Sequence, residues 1–252
     1  MKYFVEKNSI VRKIWGRSDT VLLIFAGSAA EFALNKAVDW LYFTGRLPAD
    51  PIGRLFSTVT YAREIIFAKQ EDADKTIGAI SSIHKKVEQN RGASIPAWAY
   101  RDVLFMLIHY SIAAFETLER KLDESEKEDV YQVFFRFGTG MGLSDLPATF
   151  KSWLPAREAH MNDDLVKSKF TTDLFRQYKK NLGPFRYRVL LEGQIKVMPE
   201  KVRQLLGFRS FSWLTPILPF YKFTYQLHFD QAIKALILPK KYKKQIFDLD
   251  IK

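Results

Sequence analysis

The sequence predicts an all-α protein, and three observations carry that expectation. Apolar residues recur with a period near 3.6, and no convincing two-residue alternation marks a strand. Signals that start helices recur along the chain. The linkers between them are short, with no low-complexity stretch and no internal repeat, so residues 1–252 read as a single helical domain.

Taken in order, Ser18-Asp19-Thr20 leads into the apolar run Val21-Leu22-Leu23-Ile24-Phe25-Ala26-Gly27. Asp50 can cap a helix with Pro51 at its first position, because proline's missing N–H is not needed there. Asp72 is expected to cap the helix that carries His84, and Pro96 to open one whose Trp98, Asp102, Phe105, His109 and Ile112 share a stripe. Ser125-x-x-Glu128 reads as a capping box ahead of Val130, Val133, Phe134 and Phe137. Gly138, Gly140 and Gly142 end that helix. Pro147, Pro184 and Pro199 each begin another. The glycine triplet does not make a phosphate-binding loop, since no strand precedes it and no lysine follows at the required position.

Composition narrows the chemistry. A chain of 252 residues, 47% hydrophobic and 15% aromatic, can bury a full core. With no cysteine, disulfides, iron–sulfur clusters, thiolate-ligated haem and cysteine nucleophiles are excluded. Charge is uneven. Residues 1–166 hold 21 Lys and Arg against 22 Asp and Glu, and residues 167–252 hold 18 against 6. The basic final third implies an anionic partner. No helix-turn-helix, zinc-finger or RNP-like pattern speaks for nucleic acid. An anionic membrane surface fits better. Phe211, Trp213, Phe220, Tyr221, Phe223, Tyr225 and Phe229 precede Lys240, Lys241, Lys243 and Lys244, and aromatic rings beside lysines suit the headgroup boundary. A packed last helix with a solvated basic tail is the alternative.

Residues able to do chemistry are few. Arg54 and Thr58 are four apart and share a helix face. His84 falls in register with Ile77, Ile80 and Val87, on the apolar side of its helix. Such a histidine is either a core residue making one hydrogen bond or a ligand. Side-chain metal sites have little support, because His84, His109, His160 and His228 show no HExxH or Glu-x-x-His spacing. No nucleophile elbow supports a hydrolase.

The order of several short segments resembles the latex-clearing-protein (rubber oxygenase) and MpaB-like oxygenase family over residues 10–210. The segments are the Ser18-Asp19-Thr20 helix, Asp50-Pro51-x-x-Arg54-Leu55-x-x-Thr58, His84-x-x-Val87 and Leu107-Ile108-His109-Tyr110-Ser111, then Leu146-Pro147-Ala148-Thr149-Phe150 and the stretch from Met198 to Phe208. The resemblance implies a globin-like helical core holding haem b. His84 would be the proximal iron ligand, Arg54 and Thr58 catalytic groups beside the haem, and His109 a nearby core residue. It implies an oxygenase that activates dioxygen against an apolar, isoprenoid-like or lipid-like substrate. The chain departs from the family at Asn35-Lys36, where a His-Pro pair is common, and at Ala68, where a glycine often stands. Ser57 occupies the position where rubber-cleaving members can place a lysine over the iron.

Residues 21–34 form the longest apolar stretch, broken by Glu31 and shorter than a bilayer span. The first fifteen residues lack the apolar core of a signal peptide. The expected location is therefore the cytoplasm, peripheral at the inner membrane face. A competing expectation is a non-enzymatic helical protein that binds lipid or an anionic membrane through residues 211–252.

Overall fold

The computed structural model describes residues 2–45 and 49–226, together with Lys243, Lys244, Asp248 and Asp250. The described residues contain eleven helices: α1 (Ile10–Trp15), α2 (Ser18–Phe32), α3 (Val38–Phe43), α4 (Pro51–Phe67), α5 (Gln70–Arg91), α6 (Ala97–Leu118), α7 (Glu124–Gly140), α8 (Phe150–Asp163), α9 (Lys169–Val197), α10 (Glu200–Leu206) and α11 (Leu214–Gln226). Among the described residues there is no sheet, only two isolated bridges, Tyr3 with Lys69 and Asn35 with Leu165. The protein is all-α.

The centre of the fold is α2, which is buried on nearly every side, as an almost uniformly apolar helix must be. It packs most extensively against α6 and then α9. Small residues let α6 approach: a Cβ on Gly27 would lie 2.2 Å from the Tyr110 ring, closer than any packed atoms tolerate. Around this contact the largest core gathers Trp15, Ile24, Phe105, Ile108, Tyr131, Phe134 and Trp153. Trp15 donates its indole N–H to Ser111 Oγ at 3.1 Å, so the ring is buried without an orphaned donor. At the other end of the chain, Asp250 accepts from the Ser18 backbone N–H (2.8 Å) and hydroxyl (2.9 Å), so a distant carboxylate serves the start of α2.

Several helix starts follow the sequence reading. Asp50 caps α4 by accepting from Gly53 N–H at 2.9 Å, with Pro51 at the first position. Pro96 sits at the N-cap of α6 and Pro199 at that of α10. The glycine triplet lies at the end of α7, where Gly142 adopts a left-handed φ of 89°. Within α9 the backbone breaks at Gly183 (φ 72°, ψ 170°) and Pro184 begins a second limb, since its ring cannot continue the first.

Three starts differ, and each for a local reason. The His84 helix begins at Gln70, whose N–H bonds Lys2 O at 3.1 Å. Capture of the chain by the N-terminal segment leaves Asp72 in the first turn rather than at the cap. The capping box of α7 is Asp123 with Glu126, two residues ahead of Ser125, and Glu128 instead accepts from the Phe150 N–H at 2.8 Å. Pro147 precedes α8 without starting it. Thr149 and Ser152 form the box, and the Pro147 carbonyl is used by the Tyr131 hydroxyl.

No helix among the described residues is long and apolar enough to cross a membrane. Phe211 and Trp213 stack edge-on in the lead to α11 and stand exposed, as do Ile217 and Phe220 on that helix. Lys243 is half-buried and Lys244 exposed. Phe229, Lys240 and Lys241 lie outside the described residues, as do the side chains of Phe223 and Tyr225.

Candidate functional site

The Arg54–Thr58 face of α4 and the His84 face of α5 come together, because consecutive helices joined by two residues must pack as an antiparallel pair. Arg54 donates Nη1 to Ser57 Oγ at 3.0 Å and to Thr58 Oγ1 at 3.5 Å. Both hydroxyls also donate to the Arg54 carbonyl, at 2.8 and 3.3 Å, so the turn buttresses its own guanidinium. Ile77 is fully buried on α5, while Ile80, His84 and Val87 are half-buried along the same stripe. The His84 ring meets Tyr100 of α6 edge-on with centroids 5.0 Å apart. Burial, then the Arg54 cation, hold the imidazole pKa below its ordinary value against the opposing pull of Glu88. Its Nδ1 is buried and without a hydrogen-bond partner. A neutral imidazole with an idle ring nitrogen is a chemically competent ligand.

Two further residues join this face that the sequence reading did not single out. Glu88, one turn beyond His84, accepts from the Ile95 N–H at 2.7 Å and from the Tyr100 hydroxyl at 3.4 Å. Burial and then Glu88 push the Tyr100 phenol up to about 12, so it stays a protonated donor. The i, i+4 relation of His84 and Glu88 was the available signal.

His109 keeps different company. The charged neighbours that act on it are Arg157 and Glu31, and burial followed by the Arg157 cation takes its pKa down to about 4. It stands edge-on to Tyr110, beside a buried polar cluster. There Glu31 of α2 receives a forked pair of bonds from Arg157, one from the Tyr110 hydroxyl at 2.9 Å and one shared with His160 Nε2 at 3.1 Å. On its other side His160 Nδ1 lies 2.8 Å from Asp102 Oδ1 and 3.6 Å from Asp164 Oδ2. Asp102 is oriented by Asn35, whose amide donates to Oδ2 at 2.9 Å. Arg101 reaches both carboxylates from the surface, at 3.7 and 3.6 Å.

Electrostatics follow from burial and partners together. Burial alone would raise the Glu31 carboxyl, but Arg157 and His160 more than reverse it and keep Glu31 ionised. Burial works against a charged His160, and the carboxylates on either side of it win, raising its pKa. The cluster was legible in part. Glu31 interrupts an apolar helix, and a buried charge demands partners; His160 and Asp164 are i, i+4 on one face. What the sequence hid is that α2, α6 and α8 converge to supply Glu31, Asp102 and Arg157 from three elements.

A model of the family described as "ER-bound oxygenase mpaB/B'/Rubber oxygenase, catalytic domain" matches residues 13–224. The chain belongs to this family. The match spans α2 through most of α11, so both the Arg54–His84 face and the Glu31–His160 cluster lie inside the oxygenase catalytic domain. No curated protein matches the chain.

Proposed function

We propose that this oxygenase-family domain binds haem b at the Arg54–His84 face, with His84 as the protein ligand to iron, and oxidises an apolar substrate with dioxygen. The observation that supports the reading most is the buried, unpartnered Nδ1 of His84 in an imidazole kept neutral by its surroundings. Burying a ring nitrogen with no partner disfavours the fold unless something binds it, and the family supplies the expectation of a haem. Once bound, the haem iron would supply the oxygen chemistry.

The chain's own residues then have separable tasks. Arg54, held by Ser57 and Thr58, offers fixed positive charge to a propionate or to developing negative charge on oxygen. Thr58 is the hydroxyl of that pair to be tested as a catalytic group, and Ser57 brings no amine to the position. Tyr100, kept protonated by Glu88, fixes the ring face of His84. His109 lines the neighbouring core from the Glu31 side. The partners implied are dioxygen and a hydrophobic small molecule.

The deciding experiment is an absorption spectrum of protein expressed with haem precursor, beside His84→Ala. A Soret band that the variant loses or shifts supports the reading. A folded wild type that stays colourless and refuses added hemin overturns it. A second reading rests on the exposed Phe211, Trp213, Ile217 and Phe220 ahead of a lysine-rich segment: attachment to anionic membrane at the inner face. Vesicle co-sedimentation that falls with salt, and with Trp213→Ala, tests it.

A further inference from the structure

We propose that Asp102, His160 and Asp164 form a second metal site, one for a divalent first-row transition ion such as Zn²⁺ or Mn²⁺. One ligand atom from each residue lies within 4.8 Å of the others. A first-row ion bound by nitrogen and oxygen at about 2.1 Å spaces neighbouring ligand atoms by roughly 3 Å, and the 2.8 and 3.6 Å separations here are close to that. An imidazole with two carboxylates is a donor set for transition ions rather than for calcium or magnesium.

The second observation is independent of that clustering. His160 Nδ1 and Asp102 Oδ1 are both fully buried and lie 2.8 Å apart as an ion pair, without the direction of a hydrogen bond between them or to any other group. Two buried polar atoms in a contact of poor hydrogen-bond direction gain from a partner that can satisfy both. The outer contacts are those a metal site needs. Glu31 takes the Nε2 side of His160 and so leaves Nδ1 facing the cluster, and Asn35 holds the other oxygen of Asp102. Glu31 is in turn fixed by Arg157 and Tyr110.

Access and charge fit as well. The Asp164 side chain is 15% exposed, and that side is covered by Arg101, whose side chain is 35% exposed. Its guanidinium and the His160 ring both face the two aspartates in the metal-free state. An arriving ion takes over that charge and the Nδ1 proton leaves, while Arg101 swings to solvent and water completes the coordination.

The test uses the full chain, stripped with chelator and titrated with Zn²⁺ by calorimetry and with Mn²⁺ by electron paramagnetic resonance. One equivalent is expected to bind. Asp164→Asn, which alters the most exposed ligand and spares the buried pair, should weaken binding by roughly tenfold or more. Arg101→Gln should tighten it, because the competing cation is gone. His84→Ala should leave it unchanged, which separates this site from any failure at the haem face. The proposal is overturned if neither wild type nor Arg101→Gln binds an ion, if Asp164→Asn binds as well as wild type, or if His84→Ala abolishes the binding.

Discussion

Two histidines of this fold have contrasting surroundings. His84 is half-buried, with a cation and an aromatic ring for company and one ring nitrogen idle. His160 is fully buried, with a carboxylate beside each ring nitrogen. The first environment keeps an imidazole neutral and uncommitted. The second holds charge in place and joins α2, α6 and α8. The lesson is that a ligand need not be the best-packed histidine. Nδ1 lacks a well-directed hydrogen bond in both rings, but only His160 has carboxylates that hold it in place whether or not anything else binds.

The sharpest way to break that contrast is to remove each ring in turn, and the largest effect belongs to the buried cluster. In chelated protein, His160→Ala is expected to cost about 3–5 kcal/mol, because Glu31 and Asp102 then keep their burial with one partner fewer. Urea denaturation followed by circular dichroism measures it. A loss under about 1 kcal/mol would mean that Arg157 and Tyr110 alone satisfy Glu31.

His109 gives the next effect, and it is read by pH. Burial and the Arg157 cation lower its folded pKa to about 4, against an ordinary value of 6.5. The unfolded chain therefore takes the proton first. The folded state keeps its full stability above about pH 6.5 and loses it progressively as pH falls toward 4, by about 3 kcal/mol. His109→Gln should flatten the stability curve through that window. An unchanged slope would assign the acid sensitivity to other groups.

How much of this was legible beforehand differs between the two regions for a physical reason. The His84 face is built from short-range relations. Arg54 and Thr58 are one turn apart, Asp50 and Pro51 start their helix, and the Ile77, Ile80, Val87 register places His84 on an inner stripe. Periodicity and capping reach that far. The His160 cluster depends on pairs 58 and 129 positions apart, Asp102 with His160 and Glu31 with His160, and only His160 with Asp164 is a local pair among its carboxylate contacts. No local rule predicts which helices cross, so its members read as an interruption in α2 and a polar residue in the α6 stripe. The misplaced starts of α5, α7 and α8 have the same origin. A more favourable partner two residues away, or a capture by the N-terminal segment, won over a motif that was equally good on paper.

A smaller effect sharpens the comparison at the other site. Asp50→Ala removes the cap that fixes the first turn of α4, which carries Arg54, and should cost about 1 kcal/mol. Its value lies in what accompanies the loss. If α4 positions Arg54 for an anionic group, hemin affinity should fall in Asp50→Ala while Zn²⁺ binding at Asp164 holds. A parallel loss of both would show that the cap supports the whole fold rather than one face.

The smallest expected effect is the one that decides the contrast. His84→Ala should change stability by no more than a few tenths of a kcal/mol, about what a half-exposed surface substitution does. The lost ring contact with Tyr100 is offset by removing a buried nitrogen that has no partner. A histidine whose contacts join helices would behave otherwise, as His160 is expected to. Loss of hemin binding with stability intact would identify His84 as a residue kept for a ligand. A cost of several kcal/mol with no change in hemin binding would make it a second His160, and the contrast between the two rings would fall.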